Sequence, residues 1–185
     1  MDYSTVDALR KFAGVSSFKD DQLLAASLSA ASRAIDKVCG RRFACNADTP
    51  TAHVFTRRLQ MGIDPFDGQL LLLDDDLALA ATAITDSPTV SYRGLEPPYW
   101  SIINEDGSWS SPITVTGFWA YSVAPPPDIE FCCLRLTKWI YEMRETTRGD
   151  GVVVTDQGAV LLPAALPADV MALLGPYCRL AMAHS

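Results

Sequence analysis

The chain has 185 residues, of which 49% are hydrophobic and 20% charged, so it can bury one ordinary core and is short for two. Its net charge of -7 at pH 7 argues against a protein that grips nucleic acid, because affinity for phosphate comes from clustered Lys and Arg. No apolar run approaches the ~18 residues that span a bilayer, and the amino terminus lacks the pattern of a secretory signal. We therefore expect one soluble, intracellular domain that covers residues 1–185.

The cysteines and histidines show no pattern of a reactive or metal-binding site. The five cysteines are odd in number and have no C-x-x-C spacing, which fits reduced thiols better than a disulfide framework. A Cys–His nucleophile pair would need His53 or His184 beside a cysteine, and zinc spacing and phosphate-binding glycine loops are lacking. We expect no catalytic residue, no metal ligand and no cofactor. The cysteines are Cys39, Cys45, Cys132, Cys133 and Cys178.

Two helices are predicted at the amino-terminal end. Ser4 and Asp7 form an S-x-x-D start signal, and Gly14 suits a left-handed stop. The second helix begins near Asp20 and closes at Gly40. It is rich in alanine, which favours helix and lets a neighbouring helix approach closely, so we expect it to pack on another helix. Its apolar face consists of Leu24, Leu28, Ala31, Ile35 and Val38.

Short apolar runs separated by turn residues extend from Arg41 to Trp109 and predict an antiparallel sheet of several short strands. The segment from Leu77 to Ile84 also satisfies helical spacing, and its alanines favour helix, so strand and helix both stay open there. The runs are Ala52 to Arg58, Gln69 to Leu73, Leu77 to Thr85, Thr89 to Arg93 and Tyr99 to Ile103.

A strand followed by a long helix is predicted between Ile113 and Glu145. The strand alternates in two-residue steps as far as Gly117, and three prolines end it because proline donates no backbone hydrogen bond. Pro127 suits the first turn of the helix. One apolar stripe consists of Ile129, Cys132, Cys133, Leu136, Ile140 and Met143. A second apolar patch, almost opposite, consists of Phe131, Leu134 and Tyr141.

The carboxy-terminal part is predicted to contain a loop and one more helix. Glycines flank a short valine run after the long helix, so residues 146–163 are read as a mobile loop or an exposed hairpin. Two prolines, Pro163 and Pro167, precede the last helix. This helix belongs to a predicted docking segment over 164–185. Three of its residues are candidate contacts for a partner protein: Val170, Leu174 and Tyr177.

Charged and aromatic clusters in the β region allow more than one interpretation. The three carboxylates from Asp74 to Asp76 form a solvated turn or, alternatively, a site for a hard cation. Arg41-Arg42 and Arg57-Arg58 are basic pairs that serve as surface charge or contact an acidic partner. The aromatic run from Phe118 to Tyr121 favours core over interface. We keep Arg57 and Arg58 as candidate partner contacts.

Four blocks resemble the head-to-tail connector, or adaptor, proteins of tailed bacteriophages and prophages. Their specificity lies in their order and spacing along the chain. The blocks are DDQLLAASLSAASRAIDKVCGRRF from Asp20, LLLLDDDLA from Leu70, ITVTGFWAYSVAPPPDI with the helix that ends at Arg144, and LPADVMALLGPY from Leu166.

The resemblance implies a mainly α subunit with a small antiparallel β-element, in which the long central helix packs on the Ala-rich helix. It also implies a ring, commonly dodecameric, beneath the capsid portal and in contact with a stopper or tail-completion protein. DNA would pass through such a ring in the neck of the virion, which is assembled in the host cytoplasm. Phe131, Leu134 and Tyr141 then become the predicted contact between subunits.

Two alternatives remain open at this point. A metal-dependent hydrolase would use the Asp74 to Asp76 cluster. A DNA-binding neck or packaging factor would bind duplex DNA in a salt-dependent manner.

Overall fold

The chain forms two compact units in the computed structural model. Unit 1 consists of Met1–Gly40 and Pro125–Ser185, and unit 2 of Arg41–Ala124. The chain crosses between the units twice, and the prediction of a single domain over 1–185 stays a prediction. The described residues are 1–14, 19–56, 66–146, 153–154, 160–161 and 166–179.

The helices belong to unit 1 and most of the strands to unit 2. The helices are α1 (Val6–Ala13), α2 (Asp21–Cys39), α3 (Pro127–Thr146) and α4 (Ala168–Leu174), the last continued by a 3-10 turn, Gly175–Tyr177. The strands are β1 (Thr51–Phe55), β2 (Phe66–Asp67), β3 (Leu70–Leu77), β4 (Ala83–Ile84), β5 (Val90–Tyr92), β6 (Tyr99–Asn104), β7 (Ile113–Gly117), β8 (Val153–Val154) and β9 (Val160–Leu161).

The prediction of a mainly α fold with a small β-element is wrong. Helix makes up 38% and strand 21% of the structure, which makes it an α+β fold. The small β-element was what the resemblance to connector proteins implied, whereas the short runs between Arg41 and Trp109 predicted a sheet of several strands. These runs pair with one another and with β7 around a hydrophobic core of their own, so the β part is a compact unit in its own right.

Capping residues explain where α1 begins and where both α1 and α2 end. Thr5 caps α1, because its Oγ1 accepts a hydrogen bond from the Ala8 N–H at 3.2 Å, so the predicted cap at Ser4 is wrong by one residue. Gly14 and Gly40 end α1 and α2 with φ of 69° and 63°. These are left-handed conformations that glycine adopts without a Cβ penalty, as the sequence predicted.

Packing of α2 along α3 forms the centre of unit 1. The predicted faces are mostly confirmed: Leu24, Leu28, Ala31 and Ile35 of α2 are buried and Val38 is half-buried, and all the α3 stripe residues are buried except the half-buried Met143. Small side chains on α2 let the two helices lie close. The Ser32 hydroxyl reaches Cys133 Sγ at 3.4 Å across this contact.

Two antiparallel sheets make up unit 2, one of three strands in the order β1-β7-β4 and one of four strands in the order β2-β3-β6-β5. The segment left open between strand and helix is mostly neither: Leu77 ends β3, Ala83 and Ile84 form β4, and the described residues between them contain no helix. Side chains from both sheets share one core: Phe55, Leu71, Leu73, Leu77, Ile102, Trp109, Ile113, Val115 and Trp119.

A close approach at Gly117 joins the two sheets. A Cβ added there would lie 2.6 Å from Leu77 Cδ2, so only glycine fits without displacement. Next to this contact the Ala78 N–H donates to the Phe118 carbonyl at 2.8 Å. The end of β3 therefore lies directly against the end of β7.

Residues after α3 are described only in part. β8 pairs antiparallel with β9, Val153 opposite Leu161 and Val154 opposite Val160, which corresponds to the hairpin alternative for 146–163. Thr146 still belongs to α3, and the other residues of that segment lie outside the described residues, as do Arg57, Arg58 and His184.

Candidate interaction surfaces

The three consecutive aspartates lie in strand β3, where the register with β6 shifts between Leu72 and Leu77. A solvated turn was the wrong prediction for them. Each carboxylate meets a basic side chain of the same unit. The pairs are Asp74 Oδ1 with His53 Nδ1 at 3.0 Å, Asp75 Oδ2 with Arg42 Nη2 at 2.8 Å, and Asp76 Oδ2 with Arg41 Nε at 3.5 Å.

Burial increases along this row of carboxylates. The exposed fraction of the side chain falls from 64% at Asp74 to 17% at Asp75 and 3% at Asp76. The acidic partner considered for Arg41 and Arg42 is therefore in the same chain. Among the described residues no three His, Cys, Asp or Glu side chains are grouped so that they could hold a metal ion, so the hydrolase alternative has no described site to support it.

His53 is held between a carboxylate and an indole. Its ring stacks on Trp119 with the centroids 3.9 Å apart and the planes 9° from parallel. Trp119 is 2% exposed, and its Nε1 donates to the Thr51 carbonyl at 2.8 Å. Core is thus confirmed for Trp119, while Phe118 and Tyr121 are half-buried. His53 therefore packs against Trp119 on one face of β1.

The second apolar patch of α3 is only partly open. Phe131 is 47% exposed, whereas Leu134 and Tyr141 are half-buried. The Tyr141 hydroxyl donates to Asp20 Oδ2 at 2.8 Å, so this side chain also ties α3 to the start of α2. Of the three predicted contact residues, Phe131 alone is exposed rather than half-buried.

A second exposed aromatic ring lies beside Phe131. Phe12 of α1 is 36% exposed, and its ring meets that of Phe131 edge to face with centroids 5.9 Å apart and planes at 86°. Phe12 lies on the same helix as Leu9, which is 0% exposed. Because Phe12 is three residues beyond Leu9, the 3.6-residue period leaves it at the rim of the buried face.

The predicted contact residues near the carboxy terminus divide into two kinds. Val170 and Leu174 are 0% exposed, so they pack inside unit 1 and a partner cannot reach them unless the unit opens. Tyr177 is half-buried, and its hydroxyl donates to Asp128 Oδ2 at 2.9 Å. We therefore keep only Tyr177 of this group as a candidate contact.

An ion pair fastens α4 to α3. Arg135 Nη2 lies 2.9 Å from Asp169 Oδ2, and the hydrogen bond from Arg135 lowers the pKa of the Asp169 carboxyl below its ordinary value. Both side chains are about half exposed, where water and salt weaken such pairs. The contact orients α4 more than it stabilises it.

The thiols of α3 are poor nucleophiles. Burial raises the pKa of Cys132 to about 11, with Asp128 and Cys133 adding to the effect, and burial also raises the pKa of Cys133. The thiolate is the reactive form of cysteine. Both side chains therefore act as small apolar groups in the helix contact.

No family model matches the chain, and no curated protein matches it. Among the described residues no helix is both long and apolar enough to cross a membrane.

Proposed function

We propose that this protein is a structural virion protein that assembles into a ring between the capsid portal and the tail or its stopper, and that DNA passes through the ring. The order of the four connector-like blocks suggests this role. The observation that carries it in the structure is the exposed pair Phe12 and Phe131 on unit 1. Large apolar groups exposed side by side mark surfaces that another protein covers.

The aromatic pair suits a contact that is repeated around a ring. Burying a phenylalanine completely is worth about 1.5–3 kcal/mol, so covering the exposed part of each ring contributes about 1 kcal/mol. Such a contact is weak between two isolated subunits. In a closed ring every subunit takes part in two contacts, one through its aromatic pair and one through the surface that covers its neighbour's pair. Closure makes the last contacts intramolecular, so modest pairwise affinity suffices.

Flanking residues define the rim of this contact. Leu134 and Tyr141 remain in the proposed interface as half-buried neighbours on α3. Replacing them is a poor test, because Tyr141 also bonds to Asp20 and its loss would disturb the packing of α2 on α3. Phe12 and Phe131 lie further out, so they are the better residues to change.

The net charge of the chain supports passage of DNA through the ring without tight binding. The net charge is -7, and the described basic residues Arg41 and Arg42 of unit 2 are matched by carboxylates at 3.5 and 2.8 Å. Neutralised arginines release few counterions from DNA, so they contribute little affinity for phosphate. On this proposal the portal, the stopper and neighbouring copies are the partners.

The test is assembly on the portal protein. We expect purified wild-type chain mixed with portal to form rings visible by electron microscopy, and Phe131→Glu to abolish them because a carboxylate cannot be buried cheaply at an apolar contact. Phe12→Glu should act in the same direction. Helical circular dichroism of the free variants should stay unchanged, because both side chains are already exposed.

Leu95→Glu is the matched control, since Leu95 is the most exposed large apolar residue described, at 103%, and lies in unit 2. It makes the same change of charge and should leave the rings intact. Rings that persist with Phe131→Glu would refute the interface. Absence of any complex between the wild-type chain and portal or tail proteins would refute the function.

A gel-shift measurement separates the connector from a DNA-binding neck factor. We expect no shift of duplex DNA by the free chain even at low salt, where attraction to phosphate is strongest. A shift that weakens steeply as salt is raised would favour the DNA-binding alternative instead.

A further inference from the structure

Two thiols of unit 1 lie close together although they are 139 positions apart in the chain. Cys39 is the last residue of α2, and Cys178 directly follows the 3-10 turn after α4. Their Sγ atoms are 3.5 Å apart. Both also approach the Leu174 carbonyl oxygen, Cys178 Sγ at 3.3 Å and Cys39 Sγ at 4.0 Å, so the two sulfurs converge on one acceptor.

The backbone holds the two residues in this arrangement. The Arg179 N–H donates to the Cys39 carbonyl at 2.9 Å, which fixes the chain directly after Cys178 against the end of α2. A Cβ added at Gly40 would lie 4.0 Å from Arg179 Cβ. The two backbone segments are therefore already in contact beside the sulfur pair. A disulfide bond is about 2 Å long, so the two sulfurs need to approach by only about 1.5 Å.

We propose that Cys39 and Cys178 are a site of reversible disulfide formation by exchange with a low-molecular-weight disulfide such as oxidised glutathione. The Cys178 thiolate attacks one sulfur of the oxidant, which forms a mixed disulfide and releases one thiolate. The Cys39 thiolate then attacks the Cys178 sulfur and releases the second. Two protein thiols are oxidised, one small disulfide is reduced to two thiols, and the two protons go to the released thiolates.

Exposure sets the order of the two steps. Cys178 is half-buried and open to a small oxidant, whereas Cys39 is 1% exposed and meets Cys178 but not solvent. Cys132 and Cys133 are 0% exposed, and neighbours on a helix point about 100° apart, so they do not pair with each other. Cys45 is half-buried with its Sγ near the Ser122 carbonyl at 3.9 Å.

The bond would fasten the segment after α4 to the end of α2. In a reducing cytoplasm the pair stays as thiols, and an oxidising medium closes it. The position of α4 in unit 1 then depends on a covalent link as well as on packing and on the ion pair between Arg135 and Asp169. This inference goes beyond the proposed function and does not depend on it.

The experiment compares two samples of the full chain, one incubated with oxidised glutathione and one with excess dithiothreitol. Both samples are then alkylated, digested with trypsin and measured by mass spectrometry. Trypsin places the cysteines in separate peptides: residues 38–41 hold Cys39, 43–57 hold Cys45, 94–135 hold Cys132 and Cys133, and 149–179 hold Cys178. We expect the oxidised sample to contain 38–41 joined to 149–179, and dithiothreitol to separate them.

Two variants complete the test. Cys45→Ser should leave the crosslink unchanged, and Cys178→Ser should remove it while circular dichroism shows an intact fold. On a non-reducing denaturing gel the oxidised wild type should migrate faster, because a loop over 39–178 is closed. The proposal is overturned if Cys178 carries only glutathione, if it joins a second molecule, or if peptides 38–41 and 149–179 stay separate.

Discussion

Unit 1 and unit 2 bury polar groups in different ways. In unit 1 the buried polar side chains described are short hydroxyls, and those of Ser32 and Thr137 donate to helical carbonyls, Thr137 to the Cys133 carbonyl at 2.6 Å. Unit 2 buries a charge, Asp76, against Arg41. A helix satisfies its own backbone, whereas each strand of a sheet needs partners from elsewhere in the chain. The β unit therefore depends more on contacts between distant residues.

Tryptophan makes the two units measurable separately. Trp100, Trp109 and Trp119 lie in unit 2 and Trp139 in unit 1, so fluorescence mainly follows unit 2 while circular dichroism at the helical band follows unit 1. If both signals change at the same denaturant concentration, the chain unfolds as one cooperative domain over 1–185. Two separate transitions would contradict that prediction.

The largest expected effect concerns the buried carboxylate of unit 2. Asp76→Asn leaves the Arg41 guanidinium, whose side chain is 16% exposed, without its charge partner, which should cost about 3–5 kcal/mol. Asp74→Asn is the control, because that side chain is 64% exposed and an exposed pair contributes at most about 1 kcal/mol. Urea unfolding followed by tryptophan fluorescence measures both. Equal losses of unfolding free energy in the two variants would show that burial of the carboxylate does not determine the size of the effect.

The junction of the two sheets is the next most sensitive point. Gly117→Ala places a methyl 2.6 Å from Leu77 Cδ2, and overpacking of this kind costs about 1–3 kcal/mol. Gly175→Ala in unit 1 meets nothing within 4 Å apart from its chain neighbours and has φ of -47°, but Pro176 follows it, and proline disfavours helical backbone in a preceding residue that carries a Cβ, so a small loss of stability is expected. The melting temperature should therefore fall clearly further for Gly117→Ala than for Gly175→Ala.

Two buried serines should respond with opposite signs. Ser101 of β6 is 0% exposed, and its Oγ has no hydrogen-bond partner among the described residues, so Ser101→Ala should stabilise by about 1 kcal/mol. Ser32 of α2 accepts from the Tyr3 N–H at 3.1 Å and donates to the Leu28 carbonyl at 3.0 Å. Ser32→Ala should therefore destabilise by about 1–3 kcal/mol. The denaturant midpoints of unfolding of the two variants measure both changes. A lower midpoint for Ser101→Ala than for wild type would show that the Ser101 hydroxyl has a hydrogen-bond partner.

The smallest effect is a pH dependence of unit 1. The pKa of Asp169 is lowered by Arg135, so the pair contributes fully above the ordinary carboxyl value of 3.8 and is lost as pH falls through the lowered pKa. Wild type should therefore lose slightly more stability than Arg135→Ala as the medium is acidified below pH 3.8. Lys138→Ala, which removes an exposed pair within α3, should keep the wild-type profile.

Local signals in the sequence predicted the helices well. The stops at Gly14 and Gly40, the start of α3 at Pro127 and the buried stripe of α3 all follow from neighbours within a few residues. The strand β7 was predicted from its two-residue alternation and is observed from Ile113 to Gly117. Short-range rules sufficed there because capping and periodicity act over one or two turns.

The candidate surfaces were predicted only in part. Phe131 was identified from its place on α3, but its neighbour Phe12 comes from a helix 119 positions earlier in the chain. The same holds for the aspartates of β3, whose partners Arg41 and Arg42 lie more than 30 positions away. No periodicity within one element reveals which of two distant side chains will meet.

The sequence by itself determined where most helices and strands begin, which faces are apolar and which residues can end them, because these depend on hydrogen bonding and sterics within a few residues. Only the tertiary structure decided that the short strands form a compact unit, that Asp74, Asp75 and Asp76 meet His53, Arg42 and Arg41, and that Cys39 meets Cys178. Those outcomes depend on which distant segments pair. The pairing is determined by how much apolar surface the whole core buries, and a short stretch of sequence carries no information about that.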